Sequence, residues 1–349
     1  FGSYYRNELD SLTWDNPFTP FPGADMGQLA VEPDNDFHQF SVSAAYFARA
    51  WDTVIAVSAA SGEGEQNASL LPYTINPTIP APLIQLGGID AKVDTTNYAL
   101  TITTRPFDKL NVKLSYRYDE RDNGTPISTW TRVITDALDS GDIEPNIPYS
   151  FERSRLGVSG SYRLLDTVTV SGGYDRNDID RDFQEVASQT EDTGWGKLRW
   201  RPTGNLEATF KGGASSREVD EYDTDVGLVF GQSPLMRKYN LADRDRDFAE
   251  VMLSASLIDT PISIGMGYFW SEDDYTDSQL GMLEGSTDRY TVDVNWAVSE
   301  TASLYLTAGS ESLESLQRGS ETFNGPEWEA SHDDDFTHYG GGFRIAGIG

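Results

Sequence analysis

Basic side chains recur at alternate positions in one part of the sequence. In the stretch LNVKLSYRYDERDN, residues 110–123, Lys113 and Arg117 alternate with the apolar residues Val112 and Leu114. A period of two predicts a β-strand with one apolar and one polar face. Lysine and arginine on a polar face would bind carboxylates or other anions. Eight basic residues are predicted to project from such polar faces: Lys113, Arg117, Arg155, Arg163, Lys197, Arg199, Lys211 and Arg217.

Two interpretations of this basic group stay open. In the first, the group contacts carboxylates of a partner protein. In the second, it lines a water-filled pore in which arginines pair with acidic residues, as in ordinary porins. The group stands out because the chain has 56 acidic and 26 basic residues and a net charge of -30. Such a negative surface would repel phosphate backbones, so we exclude nucleic acid as a partner.

The chain is predicted to consist of strands rather than helices. It has no run of about 18 apolar residues, which excludes a membrane-spanning helix. A barrel is not excluded, because lipid-facing residues occupy only alternate positions of its strands. Roughly fourteen alternating segments are present, each near the length of about 9–11 residues that a tilted strand needs to cross a bilayer.

The connections between these segments alternate in length. The short set comprises 48–52, 106–109, 165–167, 202–205, 259–261 and 299–302. The long, acidic set comprises 9–36, 63–92, 120–149, 221–245, 272–287 and 314–334, with a shorter member near 178–188. This asymmetry is typical of an up-and-down outer-membrane barrel with short periplasmic turns and long extracellular loops. We therefore predict one all-β transmembrane antiparallel barrel domain over residues 1–349, in contact with the lipid of the bacterial outer membrane.

Aromatic residues fall near both ends of the predicted strands, on the apolar side. Those near the short turns are Tyr46, Tyr162, Trp200 and Trp296, and those near the long loops are Tyr116, Tyr118, Tyr174, Tyr268 and Trp270. Two such belts are typical of the two interfaces between membrane and water. The alternative is the aromatic core of a secreted, soluble β-sandwich, because alternation by itself does not separate the two folds.

Metal and catalytic sites have weaker support in the sequence. His38, His332 and His338 lack the spacing of a metal motif, so no metal site is predicted. Acidic runs at 243–247, 271–277 and 332–336 would suit Ca²⁺, but they lack the layout of an EF-hand and are better explained as solvated outer loops. No serine, histidine and aspartate are spaced as a catalytic triad, so we do not expect an enzyme.

Short motifs in a fixed order provide a family resemblance. They are SLTWDNPF (11–18), LSYRYDERDN (114–123), PYSFERSRLGVSGSYRL (148–164), SGGYDRNDIDRDFQEVASQTEDTGWGKLRWRP (171–202) and LEATFKGGASSRE (206–218). Together they resemble the MtrB/PioB family of outer-membrane barrels, most closely over about 110–220. Barrels of that family are near the large end of the bacterial range, at about 26 strands or more. About fourteen strands here would make this chain part of a longer barrel.

The resemblance implies a sheath function. A periplasmic decahaem c-type cytochrome would insert into the barrel lumen, and an extracellular multihaem cytochrome would dock outside. Electrons would cross the outer membrane through the haems of the partner. The wall itself would hold no cofactor, since the chain has no cysteine for covalent haem attachment. The eight basic residues would then face the cytochrome. The alternative is a general or anion-selective diffusion porin in which the same residues select anions.

Overall fold

The structure is a computed structural model and describes residues 1–7, 10–17, 22–69, 71–72, 74–78, 88–135, 138–224, 226, 233–322 and 325–345. Almost all of its regular structure is β-strand, together with one short 3-10 helix at Ala50–Asp52. The strands are β1 Gly2–Tyr5, β2 Ser11–Asp15, β3 Met26–Ala30, β4 Asn35–Ala48, β5 Thr53–Ser69, β6 Gly88–Phe107, β7 Leu110–Asn123, β8 Thr129–Thr135, β9 Leu138–Pro145, β10 Phe151–Leu165, β11 Val168–Arg181, β12 Ser188–Thr203, β13 Leu206–Val219, β14 Met236–Arg237, β15 Arg244–Ser256, β16 Ile262–Asp274, β17 Leu280–Ala297, β18 Ala302–Gly319 and β19 Trp328–Ile345.

A single sheet contains all the long strands. Its order is β1-β4-β5-β6-β7-β10-β11-β12-β13-β15-β16-β17-β18-β19, and each of these neighbours is antiparallel to the next. This order confirms the predicted up-and-down arrangement of about fourteen strands. The hairpins β2–β3 and β8–β9 pair separately. In the described part of the chain, β1 and β19 form the two edges and do not pair with each other, so the sheet is open.

The register divides the sheet into two faces. Residues paired across antiparallel strands share a face, so the alternation within each strand passes to its neighbour. Lys113 of β7 lies opposite Ser159 of β10, whereas Leu114 lies opposite Val158. We call the side that carries Lys113 the polar face and the side that carries Leu114 the apolar face. The two faces stay separate along the main sheet from β4 to β19, because each polar-face residue is paired with a polar-face residue of the next strand.

The apolar face is not covered by other parts of the described chain. Large side chains on it remain open, including Met266 at 50%, Tyr290 at 55% and Trp296 at 42% exposure. A β-sandwich would bury these residues between two sheets. The soluble sandwich is therefore wrong for the described residues. An exposed apolar band of this extent is stable only against lipid.

Aromatic belts lie at both ends of the apolar band. At the long-loop end, the Tyr268 hydroxyl donates a hydrogen bond of 2.6 Å to an Asp288 oxygen. Tyr98 and Tyr118 stack with their ring centroids 6.0 Å apart. Trp296 lies on the same face at the short-turn end of β17. Aromatic rings thus lie at both ends of the apolar face, which agrees with the predicted belts.

The strands are longer than predicted, and the long loops are correspondingly shorter. The long strands have 13 to 20 residues. In the predicted loop 272–287, β16 continues to Asp274 and β17 begins at Leu280. The acidic run 332–336 lies inside β19, and the run 243–247 lies inside β15 from Arg244 onward, so the prediction that these two runs form loops was wrong. Paired strands satisfy each other's backbone hydrogen bonds beyond the bilayer as well as within it, so they need not end where the apolar band ends.

A compact cluster of buried residues forms at the long-loop end. Residues 233–243, which we call the outer lid, include β14, and β14 pairs with Leu280 and Gly281 of β17. Leu241, Ala242 and Leu280 are each 1–2% exposed. Most of the open sheet has no such core, so the outer lid is one place where the described part of this chain packs against itself.

Candidate functional site

The polar face brings the predicted basic residues together. Cross-strand pairing places all eight on this one face, on strands β7, β10, β12 and β13. Strand β11 lies between β10 and β12 and contributes smaller residues to the same face, such as Ser171 and Asn177. Sequence alternation therefore predicted the face correctly, whereas contact with a cytochrome stays a prediction.

Like charges lie directly opposite each other at three places on this face. Arg117 is paired with Arg155, Lys197 with Lys211, and Arg217 with Arg244. Like charges at directly opposed positions destabilise a sheet, by an amount comparable to the roughly 0.2–1 kcal/mol that opposite charges contribute. A sheet keeps such pairs at low cost only where anions or hydrogen bonds compensate them. The three pairs differ in what compensates them.

The lysine pair makes no ion pair in the described part of the chain, although Glu250 of β15 lies opposite Lys211 in the register. The Lys211 Nζ lies 5.5 Å from the ring centroid of Trp195 and 5.5 Å from that of Phe248. These cation–π contacts offset part of the charge. Lys197 lines an adjoining depression of the polar face together with Lys113 and Trp195. Lys211 thus has Glu250 as a cross-strand neighbour, whereas the two residues paired with Lys197 are Ser171 and Lys211.

The rings beside the lysines lie flat against the wall. A Cβ added at Gly173 would come within 2.5 Å of the Trp195 ring, and one at Gly213 within 2.8 Å of the Phe248 ring. Only glycine leaves room for a ring to lie over the strand in this way. The Trp195 Nε1 also donates a hydrogen bond of 2.8 Å to Asp175 Oδ2, which fixes the ring orientation. The two rings therefore lie close to the sheet and leave the space beside the middle of the polar face open.

Two of the predicted residues are neutralised within the chain. The Arg117 guanidinium binds Asp119 at 2.9 Å. The Arg199 Nη2 binds Glu207 at 2.8 Å. These pairs fit the arginine and glutamate ladders of the porin interpretation. Among the described residues, Arg155 and Arg163 make no ion pair.

Arg217 has a structural role that the sequence did not reveal. Its Nε donates to the Ala242 carbonyl oxygen at 2.8 Å, and its Nη2 donates to the Tyr239 carbonyl oxygen at 2.6 Å. The residue is only 7% exposed, under the outer lid. Arg217 lies on the predicted polar face, but a later segment of the chain folds over it.

An ion-pair network completes the compensation of the third like-charge pair. Arg244 binds Glu191 at 2.6 Å, and Arg246 binds Asp273 at 2.5 Å. Arg217, Arg244 and Glu191 lie in one cross-strand row, so the acid of β12 offsets the two arginines. Sequence spacing shows neither contact, since the partners lie 53 and 27 residues apart.

The polar face of β4–β6 has a different character. Small side chains occupy it, including Ser43 of β4, Ala56 and Ser58 of β5, and Ala99 and Thr101 of β6. The wall thus has a neutral, low-relief part beside a basic part. Both leave space next to the sheet, and only the basic part attracts anions.

The described residues offer no metal centre. They contain no group of three or more histidine, cysteine, aspartate or glutamate residues arranged to hold a metal ion. His332 and His338 lie on the polar face of β19, opposite Ser315 and Gly309 of β18.

Among the residues that the structure describes, no helix is long and apolar enough to cross a membrane.

Solved structures show the class of protein to which this fold belongs. The chain is similar to the copper transporter OprC, with a TM-score of 0.54 and 13% identity, over 89% of this chain and 50% of that one. It is also similar to the FrpB iron transporter of Neisseria meningitidis, with a TM-score of 0.51 and 10% identity, over 82% of this chain and 50% of that one. At these identities the likeness concerns the fold alone, which is that of an outer-membrane β-barrel.

Sequence comparison identifies the family within this class. Residues 1–348 match the family model described as a putative outer membrane beta-barrel porin, MtrB/PioB, and the chain belongs to this family. It is 28% identical over 342 residues to the outer membrane protein MtrB of Shewanella baltica (strain OS185). The match covers 98% of this chain and 48% of that relative, so the chain spans about half its length.

The family and the fold together confirm several predictions. The protein is a porin-like β-barrel of the outer membrane and belongs to the MtrB/PioB family. In such barrels the apolar face meets lipid and the polar face lines the lumen. The basic residues described above are accordingly the candidate lumen surface of this chain.

Proposed function

We propose that this protein is a sheath that holds and insulates a multihaem c-type cytochrome, so that electrons cross the outer membrane through the haems of that partner. The protein itself acts without catalysis and without a cofactor of its own. The partner would be a periplasmic decahaem cytochrome seated in the lumen, with an extracellular multihaem cytochrome docked outside. Membership of the MtrB/PioB family supports this proposal, and one feature of the polar face carries it further.

That feature is the opposed pair Lys197 and Lys211. The two residues lie directly across from each other on the polar face, and among the described residues neither makes an ion pair, although Glu250 of β15 lies opposite Lys211. A protein surface with carboxylates or haem propionates would supply the missing counter-charges. The flat Trp195 and Phe248 rings beside them leave room for such a surface to approach the wall.

Charge reversal at this pair tests the proposal. We expect Lys211→Glu to lower the haem absorbance that co-purifies with the barrel, and Lys197→Glu combined with Lys211→Glu to lower it further, because attraction becomes repulsion. Lys92→Glu is the matched control. Lys92 lies on the apolar side at the long-loop end, where its exposed pair with Glu63 contributes little to stability. An unchanged ratio of haem to barrel in both lysine variants would refute lumen contact at this pair.

A diffusion porin is the second candidate function. The unpaired lysines would favour anions in an open, water-filled lumen, and the Arg199 pair with Glu207 fits a porin wall. The two functions differ in what occupies the lumen. A sheath purifies with a Soret absorbance band and conducts few ions when occupied. A porin conducts ions as the isolated barrel, and its anion preference falls in the Lys211→Glu variant.

A further inference from the structure

Three arginines that no prediction included lie together at the long-loop end of the polar face. We call Arg121 of β7, Arg153 of β10 and Arg181 of β11 the outer arginine cluster. Phe151 of β10 lies directly opposite both Arg121 and Arg181, and Arg153 follows two residues along the same strand. Neighbouring strands lie about 4.8 Å apart, so the cluster spans about 10 Å across the sheet.

Alternation of charge sign along the strands puts the acids that are sequence neighbours of this cluster on the other face, while Asp182 and Asp220 line the same depression as Arg121 and Arg181. Glu120 and Glu152 are neighbours in sequence of Arg121 and Arg153, and Asp180 precedes Arg181. Because successive residues point to opposite faces, these three carboxylates project from the other side of the sheet. The sheet thus separates the arginines from the acids that balance them in the sequence.

The acid opposite Arg153 on the polar face is already occupied. Asp119 lies opposite Arg153 in the register, but its carboxylate is bound by Arg117 at 2.9 Å. Within the described residues, the three arginines of the cluster make no ion pair. Their hydrogen bonds go to neutral groups instead, from Arg121 Nη1 to the Tyr149 carbonyl oxygen at 2.6 Å and from Arg181 Nη2 to Gln189 Oε1 at 3.0 Å.

Two nitrogens of the cluster are shielded from solvent without a hydrogen-bond partner. They are Arg153 Nε and Arg181 Nη1, and no described residue accepts from either. The Arg153 guanidinium lies 5.9 Å from the centroid of the Phe151 ring, which supplies part of this shielding. An unsatisfied donor on a charged group is costly, because the group has lost water and gained nothing in its place.

We propose that the outer arginine cluster is a binding site for multivalent oxyanions, that is, for clustered carboxylates or for phosphate. Planar guanidiniums bind two oxygens of such a group at once, and three of them on adjacent strands match several oxyanion groups rather than one. A bound anion removes the mutual repulsion of the arginines. The site lies apart from the lysine pair that carries the proposed function.

Direct binding of small anions to the purified full-length barrel in detergent tests this site. The probes are citrate and inorganic phosphate, measured by calorimetry at low ionic strength so that salt does not screen the interaction. The test variant combines Arg153→Gln with Arg181→Gln. The matched control combines Arg105→Gln with Arg289→Gln, two other polar-face arginines, which removes the same net charge.

We expect the citrate affinity to fall by about tenfold or more in the Arg153→Gln and Arg181→Gln variant, since hydrogen bonds to charged groups are lost. In the control we expect a change below about twofold, because only distant charge is removed. Equal losses in both variants would show that citrate senses only net charge, and absence of binding in the unmodified protein would also overturn the proposal. If the double variant fails to fold, Arg181→Lys keeps the charge but loses the planar fork, and unchanged affinity there would overturn the proposal.

A second arm identifies the source of the anion. The same titration is performed on the barrel purified from membranes with any haem protein that it holds. If carboxylates of that partner fill the cluster, the complex does not bind citrate, whereas a site for free anions binds citrate in the complex as in the isolated barrel. Because the first arm needs no partner, its outcome is independent of whether the sheath function is correct.

Discussion

The outer lid is predicted to depend on one buried arginine. Arg217→Met removes the two hydrogen bonds that hold the Tyr239 and Ala242 carbonyls. Hydrogen bonds to charged groups contribute about 1.5–3 kcal/mol each, which gives a loss of about 3–6 kcal/mol. Methionine keeps part of the packing, and the variant relieves the opposition of Arg217 to Arg244. We therefore expect opening of the lid to become easier by about 2–4 kcal/mol.

Trypsin cleavage within the lid measures this opening. Arg237 and Lys238 lie inside the lid, and Lys238 is held by an ion pair with Glu185. Cleavage at these residues requires the segment to leave the sheet, so its rate follows the open population when opening is fast. A loss of about 2–4 kcal/mol raises this population by about 30- to 700-fold.

A matched variant on the same face separates the lid from general weakening. Arg199→Met removes an arginine and its bond to Glu207 at the short-turn end, far along the strands from the lid. We expect its cleavage rate at Arg237 and Lys238 to stay near that of the unmodified protein. If Arg217→Met is cleaved no faster than Arg199→Met, then Arg217 does not anchor the lid and the reasoning above is wrong.

Three further outcomes follow from the fold. Val292→Arg should cost about 2–4 kcal/mol in refolding into bilayers, because it puts charge against lipid, whereas Thr291→Arg on the polar face of the same strand should cost little. Tyr268→Phe removes the hydrogen bond to Asp288 and should lower the free energy of unfolding by about 1 kcal/mol in urea titration. An unchanged free energy of unfolding would show that this bond does not stabilise the aromatic belt. The Thr322 hydroxyl donates to Glu327 and lowers the pKa of that carboxyl below its usual 4.5, so this contact persists above that pH and is lost as pH falls through the lowered pKa. The Thr322 amide N–H also donates to Glu327, at 3.0 Å. Its exchange, corrected for the intrinsic rate, should therefore quicken in acid, but should not depend on pH in this way in Glu327→Gln.

Alternation and loop asymmetry were sufficient to predict the wall of this protein. The period of two assigns Lys113, Arg155 and Lys211 to one face wherever they are paired, since antiparallel register preserves the face. Strand ends were harder to predict. Asp334 lies in an acidic run typical of a loop, yet it pairs with Leu313 inside a strand, because a neighbour in register satisfies its backbone.

The predicted basic group illustrates where local reasoning fails. The sequence gives each lysine and arginine its face but not its partner. Arg217 and Lys211 are similar in pattern, yet one is buried under residues 239–242 and the other lies open between two rings. The outer arginines were missed because Arg121 and Arg153 each stand beside an acid in the sequence and look neutralised.

The sequence by itself determined the all-β class, the two faces of the strands and the family, because these depend on residue type at a fixed period. Only the tertiary structure decided which charges meet. The strand register places Lys197 directly opposite Lys211 and brings Glu191 within ion-pair distance of Arg244. The outer lid folded back over Arg217, and the sheet placed the neighbouring acids of the outer arginines on its opposite side. Contacts of this kind join residues far apart in the chain, so no local pattern encodes them.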